Sequence, residues 1–129
     1  MIEIYDSGYR GKCRHEDSEH IDCVAWVRHH HPALAALLLH PANESMIPVQ
    51  YRSKLSKMGL LTGASDLILL VPSSRHPYAL FELKRCDRTK SRVSTAQHDV
   101  LQAADAVGAF SSVCYGFDQF KLAFTDYID

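Results

Sequence analysis

Two apolar segments joined by a turn-rich stretch constrain the fold of this chain more than any other feature. The segments are "DLILLV" at residues 66–71 and "YALFELKR" at residues 78–85, and "PSSRHP" lies between them. Short apolar runs bounded by proline and serine are typical of β-strands joined in a hairpin. The middle of this hairpin is apolar, but Asp66 lies at its entry and Glu82 and Lys84 lie near its exit.

The pairing of the two strands predicts where these charged side chains meet. Because successive side chains of a strand point to opposite faces, Glu82 and Lys84 share one face and Leu83 points into the core. If the hairpin folds about residues 74–75, Asp66 falls opposite the region that begins at Glu82. We therefore expect Asp66, Glu82 and Lys84 to converge at one end of the sheet.

The cluster has two interpretations. As an exposed salt bridge, Lys84 would pair with Glu82 or Asp66 and have no chemical role. Alternatively, the two carboxylates hold a cation that relieves their repulsion, and hard oxygen ligands of this kind suit Mg²⁺ or Mn²⁺. The apolar strands and the flanking basic residues favour this second interpretation, a metal site for phosphodiester hydrolysis. Lys84 would then orient the attacking water or stabilise charge in the transition state.

Charge is distributed unevenly along the chain. The formal net charge is -1, which argues against a protein that coats nucleic acid through bulk charge. The middle of the chain is nevertheless basic and its two ends are acidic, so the sequence predicts a local site for a DNA backbone. The basic residues expected to contact DNA are Arg52, Lys54, Lys57, Arg85, Arg88, Lys90 and Arg92.

The N-terminal residues and the cysteines predict a cytoplasmic protein with no membrane partner. The polar start "MIEIYDSGYRGKCRHED" has no signal-peptide pattern, and the longest apolar run, at residues 33–39, is too short to span a bilayer. The four cysteines are then expected to be reduced thiols. A zinc site formed by Cys13, His15, His20 and Cys23 is the alternative, but their spacing does not match the usual paired-ligand patterns.

The remaining periodicity predicts one α/β domain over residues 1–129 with a mixed sheet. Residues 1–16 are expected to be less regular. A first helix is expected from Asp17 or Ser18 to Pro32, with this apolar stripe: Ile21, Val24, Ala25 and Trp26. The other predicted elements are a strand at residues 35–40, a helix at 48–59, the hairpin, a helix from Ser94 or Thr95 to Val107, a strand at 111–116 and a closing helix at 117–128.

The two acids, the lysine and a glutamine in the next helix form a pattern that resembles the PD-(D/E)xK nuclease superfamily. More narrowly, the chain resembles the stand-alone VRR-NUC domains of the kind that bacteriophages encode. The resemblance runs from about residue 18 to residue 128 and rests on "SEHIDCVAWVR", "HPANES", "SKMGLLTGASDLILL", "FELKR", "RVSTAQHDVLQAADAVGA" and "SVCYGFDQF". It implies a restriction-endonuclease-like PD-(D/E)xK core, in which α-helices flank a mixed central β-sheet.

The resemblance also implies roles for individual residues. Asp66, Glu82 and the backbone carbonyl of Leu83 would bind the metal ion. Lys84 matches the lysine of the motif. Gln97 matches the glutamine early in the following helix, which helps to orient the attacking water or the lysine.

Three further positions match the family, and one departs from it. Glu19 matches the acid of the first helix, which binds metal directly or through water. Asn43 and Glu44 match an "NE" segment that shapes the cleft or contacts DNA. Ser65 stands where the family usually has proline. Because that proline stiffens the strand entry but supplies no ligand, we expect the site to survive the change.

The function that this resemblance implies is a Mg²⁺- or Mn²⁺-dependent DNA endonuclease. It would be structure-selective on branched DNA such as Holliday junctions and would act as a homodimer, in the host cytoplasm if a phage encodes it. The alternative is a module with a nuclease-like fold that binds branched DNA or a replication partner without cutting. A sequence-specific restriction-type nuclease is less favoured, because the chain has no obvious recognition insertion.

Overall fold

A computed structural model describes residues 1–42 and 44–129 of the chain. Its helices and strands, in chain order, are β1 (Glu3–Tyr5), α1 (Glu16–His30), α2 (Pro32–Ala35), β2 (Leu38–Leu39), α3 (Val49–Lys57), β3 (Leu67–Leu69), β4 (Ala79–Lys84), α4 (Thr95–Ala106), β5 (Phe110–Tyr115) and α5 (Phe117–Ile128). Two short 3-10 turns lie at Glu44–Met46 and Arg88–Lys90. None of these helices is long and apolar enough to cross a membrane.

The strands form one mixed sheet in the order β1-β5-β4-β3-β2. Strand β5 runs parallel to both β1 and β4, whereas β3 is antiparallel to β4 and to β2. A parallel pair needs a crossover connection, and α4 supplies it between β4 and β5. Every residue of β4 and of β5 is buried, as expected for central strands that are covered on both faces. The predicted mixed sheet flanked by helices is therefore confirmed.

Each face of the sheet buries its own apolar cluster. On one face, α1 and α5 cover the sheet, and Phe120 and Phe124 of α5 pack against Phe81 of β4. All three rings are fully buried. The apolar cluster on the other face is smaller. In it, Leu80 and Val113 of the strands pack against Leu101 of α4. The two clusters hold the central strands, and hence the end of the hairpin, in a fixed position.

The hairpin has the predicted register. Leu67 pairs with Phe81 and Leu69 pairs with Ala79. One residue before the Leu67–Phe81 pair, Asp66 therefore lies beside Glu82 and Leu83. Its carboxylate oxygen Oδ2 accepts a hydrogen bond from the backbone N–H of Leu83 at 2.8 Å. The expectation that Asp66 meets the second strand at Glu82 is confirmed.

The predicted buried stripe of the first helix is wrong in part. Ile21 and Ala25 are exposed, whereas Val24 and Trp26 pack partly buried against the core. The fully buried apolar residues of α1 are Cys23 and Val27. Residues four apart share one face of a helix, so Cys23 and Val27 point together toward the core. Ile21 lies on the far side of the helix from them. The closing helix α5 has the predicted bounds, and its aromatic residues Phe120, Phe124 and Tyr127 are buried.

Two features of the first forty residues differ from the sequence prediction. Residues 1–16 contain a strand, because β1 pairs in parallel with Ser112–Cys114 of β5. The strand predicted at residues 35–40 is shorter and is preceded by α2, because Pro32 occupies the first turn of a helix, where proline is well tolerated. Neither difference moves the hairpin.

Candidate active site

Four parts of the fold meet at a small cavity of about 130 Å³ at the end of the hairpin. Helix α1, the entry to β3, strand β4 and the start of α4 all line it. The lining residues are Glu16, Asp17, His20, Asp66, Glu82, Leu83, Lys84 and Gln97. Five residues that the sequence assigned to the active site, namely Asp66, Glu82, Leu83, Lys84 and Gln97, are therefore brought together.

Asp66 is fixed through both its side chain and its backbone. Its carboxylate accepts the hydrogen bond from the Leu83 N–H, which ties the entry of the hairpin to its exit. The backbone carbonyl of Asp66 accepts a hydrogen bond from Nδ1 of His40 at 2.6 Å. The ring of His40 also packs edge-on against His20, with 4.4 Å between the ring centroids. Asp66 therefore presents its carboxylate from a rigid position.

Glu82 is an acid that lies almost completely inside the protein, since its side chain is 1% exposed. Its Oε1 accepts a hydrogen bond from Nε2 of Gln97 at 3.0 Å, but its buried Oε2 finds no partner among the described residues. Burial, and next the negative charge of Asp66, raise the pKa of Glu82 far above its ordinary value. Without a proton or a cation at Oε2, this carboxylate is unfavourable.

Lys84 supplies the positive charge of the cavity. Its ammonium donates a hydrogen bond to Oε1 of Gln97 at 3.1 Å. It lies 3.9 Å from a carboxylate oxygen of Glu82 and 3.8 Å from one of Glu16. The side chain of Lys84 is only 7% exposed. The burial of both Glu82 and Lys84 contradicts the interpretation of this cluster as an exposed salt bridge.

Gln97 connects the start of α4 to both charged groups. Its side-chain oxygen accepts a hydrogen bond from the Ser94 N–H at 2.9 Å, and the Ser94 hydroxyl accepts one from the Gln97 N–H at 3.1 Å. This reciprocal pair is a capping box, which begins the helix and fixes the direction of the Gln97 side chain. From that position the amide reaches Glu82 and Lys84 at once.

A glycine sets the distance between Asp66 and α4. Gly63 has a positive φ of 83°, and its Cα lies directly against the first turn of α4. A Cβ atom here would overlap the backbone carbonyl of Ala96 and lie 2.8 Å from the Gln97 nitrogen. Only glycine fits this position, because it tolerates the left-handed conformation and leaves room for the neighbouring backbone.

The structure places Glu19 away from this cavity. Its buried carboxylate accepts hydrogen bonds from Nε of Arg14 at 2.8 Å and from the backbone N–H of Phe117. The acids that α1 does bring to the cavity are Glu16 and Asp17, and Glu16 is the one that lies beside Lys84. Glu16 and His20 are four residues apart and share one face of α1, whereas Glu19 points toward α5. The geometry thus gives no support to Glu19 as a metal ligand.

Glu16 is the residue that sequence reasoning missed. The helix was expected to begin at Asp17 or Ser18, which left Glu16 outside it. In the structure α1 begins at Glu16, after the N-cap residue His15. The spacing of Glu16 and His20, one helical turn apart, is the signal that could have found it.

The predicted DNA-contacting residues have different surroundings. Arg52 lines a larger cavity of about 350 Å³ that adjoins Asp66 and Gln97, and its Nε donates to the carbonyl of Ile47. The guanidinium of Arg85 instead donates to the backbone carbonyls of Cys13 and Arg14. The exposed members of the set are Lys54, Lys57, Arg88, Lys90 and Arg92. Arg88 also lies 3.7 Å from Asp6.

The remaining residues that the sequence singled out are Asn43, Glu44, Ser65 and the cysteines. Asn43 lies outside the described residues, and of Glu44 only the backbone is described. Ser65, at the position of the missing proline, is buried, and its hydroxyl has no partner among the described residues. No disulfide joins the four cysteines in this structure. In the described part of the chain, no three His, Cys, Asp or Glu side chains are grouped as a metal site, which leaves the zinc alternative without support.

Comparison with known proteins supports the fold. A solved structure described as "VRR_NUC domain protein" superimposes on this chain with a TM-score of 0.76 and covers 91% of this chain and 90% of its own. The two sequences are 21% identical. No family model and no curated protein sequence matches the chain. The chain therefore has the VRR-NUC fold that its sequence predicted.

The contact at Gly63 leads to a first testable prediction. Gly63→Ala is expected to lower the free energy of unfolding by about 1–3 kcal/mol, because it combines backbone strain with a steric overlap. Thermal and urea unfolding measure the effect. Gly59→Ala is the matched control, since Gly59 also has a positive φ but a Cβ there meets no atom within 4 Å. Equal effects of the two substitutions would contradict a role for the close approach to α4.

The buried acid leads to a second prediction, made for protein in a chelating buffer. Because the pKa of Glu82 is raised in the folded state, the unfolded chain loses the Glu82 carboxyl proton at a lower pH, above about 4.5, than the folded chain does. Stability therefore decreases with pH beyond that point. Glu82→Gln, which keeps an oxygen that accepts from Gln97, is expected to stabilise the protein at pH 8 by about 1–3 kcal/mol. A pH series of melting temperatures measures this. If the melting temperature of Glu82→Gln falls with pH as steeply as that of the wild type, the prediction is wrong.

Proposed function

We propose that this chain is a divalent-metal-dependent DNA endonuclease of the VRR-NUC type, formed by a single nuclease domain over residues 1–129. One observation carries the proposal. Two carboxylates, Asp66 and Glu82, converge beside a buried lysine, and the buried Oε2 of Glu82 has no partner among the described residues. An orphaned carboxylate oxygen that faces a second acid fits a hard cation such as Mg²⁺ or Mn²⁺.

The proposed metal ligands are Asp66, Glu82 and the backbone carbonyl of Leu83. A bound Mg²⁺ or Mn²⁺ ion supplies Lewis acidity to the phosphate and lowers the pKa of water. The chain itself holds the acids and the lysine at fixed positions, so that little reorganisation is needed when charge develops. Glu82 is held through Gln97, and Asp66 through the Leu83 N–H and His40.

We assign two roles to Lys84: it orients the attacking water, and it stabilises the negative charge that develops on the phosphate. Gln97 holds its ammonium at the wall of the cavity, and a carboxylate oxygen of Glu16 lies 3.8 Å from it. Because Lys84 is almost fully buried, its charge acts in a medium of low dielectric constant, where it has more effect than on the surface. Gln97 is thus a positioning residue for both Lys84 and Glu82.

The proposed substrate is branched DNA, in particular a four-way junction. The exposed basic residues of α3 and of the 88–92 segment, together with Arg52 and Asn43, are the proposed backbone contacts, and they provide no means of reading base sequence. Paired cuts across a junction call for two symmetric active sites, so we propose a homodimer. We place this activity in the cytoplasm, or in the host cytoplasm if the gene belongs to a phage.

Cleavage assays test the proposal directly. Labelled four-way junction, 5′ flap, duplex and single strand are incubated with Mg²⁺, Mn²⁺ or a chelator. We expect metal-dependent cutting of the junction, and a loss of about 10³-fold or more in Asp66→Asn because the metal loses a ligand. Asp99→Asn, at an exposed position of α4, is the matched control and should cut normally. Junction binding without cutting in every metal would favour the non-cleaving module instead.

A second pair of variants separates the roles of Glu16 and Glu19, two of the four acids of α1. Glu16→Gln is expected to lower kcat by about tenfold with little change in melting temperature, because Glu16 lies beside Lys84 and is partly exposed. Glu19→Gln is expected to destabilise the protein by about 1–3 kcal/mol, because its buried carboxylate joins Arg14 and the start of α5. Unfolding curves and single-turnover cleavage rates distinguish them. The reverse pattern would restore Glu19 as a metal ligand.

A further inference from the structure

An N-terminal segment, residues 6–14, lies along the end of β4 beyond the active site. The backbone N–H of Gly11 donates to Oδ2 of Asp87 at 2.9 Å. The Arg85 guanidinium donates to the carbonyls of Cys13, at 2.9 Å, and Arg14, at 3.2 Å. The residues on both sides of Cys86 therefore bind the segment that carries Cys13, and these contacts hold that segment beside Cys86.

The two thiols differ from the other cysteines of the chain in their access to solvent. Cys13 and Cys86 are partly exposed, whereas Cys23 and Cys114 are completely buried. The Cys13 thiol lies near enough to the Cys86 thiol to raise its pKa. Cys86 also lines a cavity of about 420 Å³, which has room for a small molecule. Cys13 is not among the residues that line this cavity.

We propose that Cys13 and Cys86 are a redox-sensitive thiol pair that is oxidised to an intramolecular disulfide by a low-molecular-weight disulfide of the glutathione class. In the first step, the Cys86 thiolate attacks one sulfur of the small disulfide. A mixed disulfide forms on Cys86, and one small thiolate leaves and takes up a proton. In the second step, the Cys13 thiolate attacks the Cys86 sulfur and releases the second small thiol. Two protein thiols are thereby oxidised, and one small disulfide is reduced to two thiols.

The order of the two steps follows from the positions of the sulfurs. Cys86 reacts first because it lines the cavity that admits the oxidant, alongside the cationic Arg14 and the ring of Tyr9. Cys13 reacts second because it lies beside Cys86. Burial, next the neighbouring Cys13 and then the negative charge of Glu19 raise the pKa of Cys86, so the reactive thiolate is scarce at neutral pH. The other charged groups that line this cavity are Arg14, which is ion-paired with Glu19, and Asp118. The exchange is therefore slow at pH 7 and faster at pH 9.

The disulfide would tie the N-terminal segment to β4 only two residues beyond Lys84. It would close a loop of roughly 70 residues, and cross-links of that length restrict the unfolded chain strongly. The melting temperature should rise by about 5–15 °C on oxidation. Trypsin cleavage after Arg10, Lys12 and Arg14 should slow, because these residues lie on the immobilised segment.

The decisive experiment uses the wild-type chain. Folded protein is incubated with glutathione disulfide at pH 7 and pH 9, the remaining thiols are alkylated after unfolding, and peptides are mapped by mass spectrometry. We expect a Cys13–Cys86 peptide, formed faster at pH 9, while Cys23 and Cys114 are alkylated. A wild-type protein that carries glutathione on Cys86 without the Cys13–Cys86 bond, or that forms only intermolecular disulfides, would overturn the proposal.

Two single substitutions test the order of the steps, with folding checked by circular dichroism. Cys13→Ser is expected to accumulate glutathione on Cys86, because no second thiol resolves the mixed disulfide. Cys86→Ser is expected to leave Cys13 at least tenfold less reactive. Equal reactivity of the two single variants would overturn the assignment of Cys86 as the first thiol, and resistance of Cys86 to glutathione disulfide at both pH values would overturn the pair altogether.

Discussion

The burial of the Glu82 carboxylate is the constraint on which the rest of the site depends. Glu82 lies beside a second acid, Asp66, with a third, Glu16, across the cavity, and the single ammonium of Lys84 does not balance them. A protein interior disfavours such an excess of negative charge unless a proton or a cation enters. The surrounding hydrogen bonds hold this unfavourable arrangement in place, which is the observation that supports the proposed metal site.

The position of Glu82 is enforced by the sheet around it. Strand β4 lies between β3 and β5, and all six of its residues are buried. A slip of one residue would turn Leu83 into the cavity and drive Glu82 and Lys84 into the apolar layer. No such alternative register is compatible with the core, so the apolar residues of the hairpin specify the chemistry at its end.

The sequence predicted the features whose signal is local and missed those that depend on distant segments. The hairpin register followed from its length, whereas Gln97 was assigned only through the family resemblance, because a glutamine in the first turn of a helix is ordinary by itself. Glu16 was missed because one residue of uncertainty at a helix start decides whether an acid belongs to the helix. Strand β1 was missed because three residues carry little pattern, and its partner β5 is more than a hundred residues away. Arg85 binds two backbone carbonyls of the N-terminal segment, and a side-chain pattern cannot predict such contacts because every residue carries a carbonyl.

Gln97 makes the winding of a helix and the assembly of the cavity a single event. One of the two hydrogen bonds that begin α4 is accepted by the same side-chain amide that holds Glu82 and Lys84. When the first turn of α4 frays, the lysine and the acid lose their common partner at once. Hydrogen exchange at this one turn would therefore report the fraction of molecules whose site is assembled, and the lifetime of that turn sets an upper limit on how long the site stays competent.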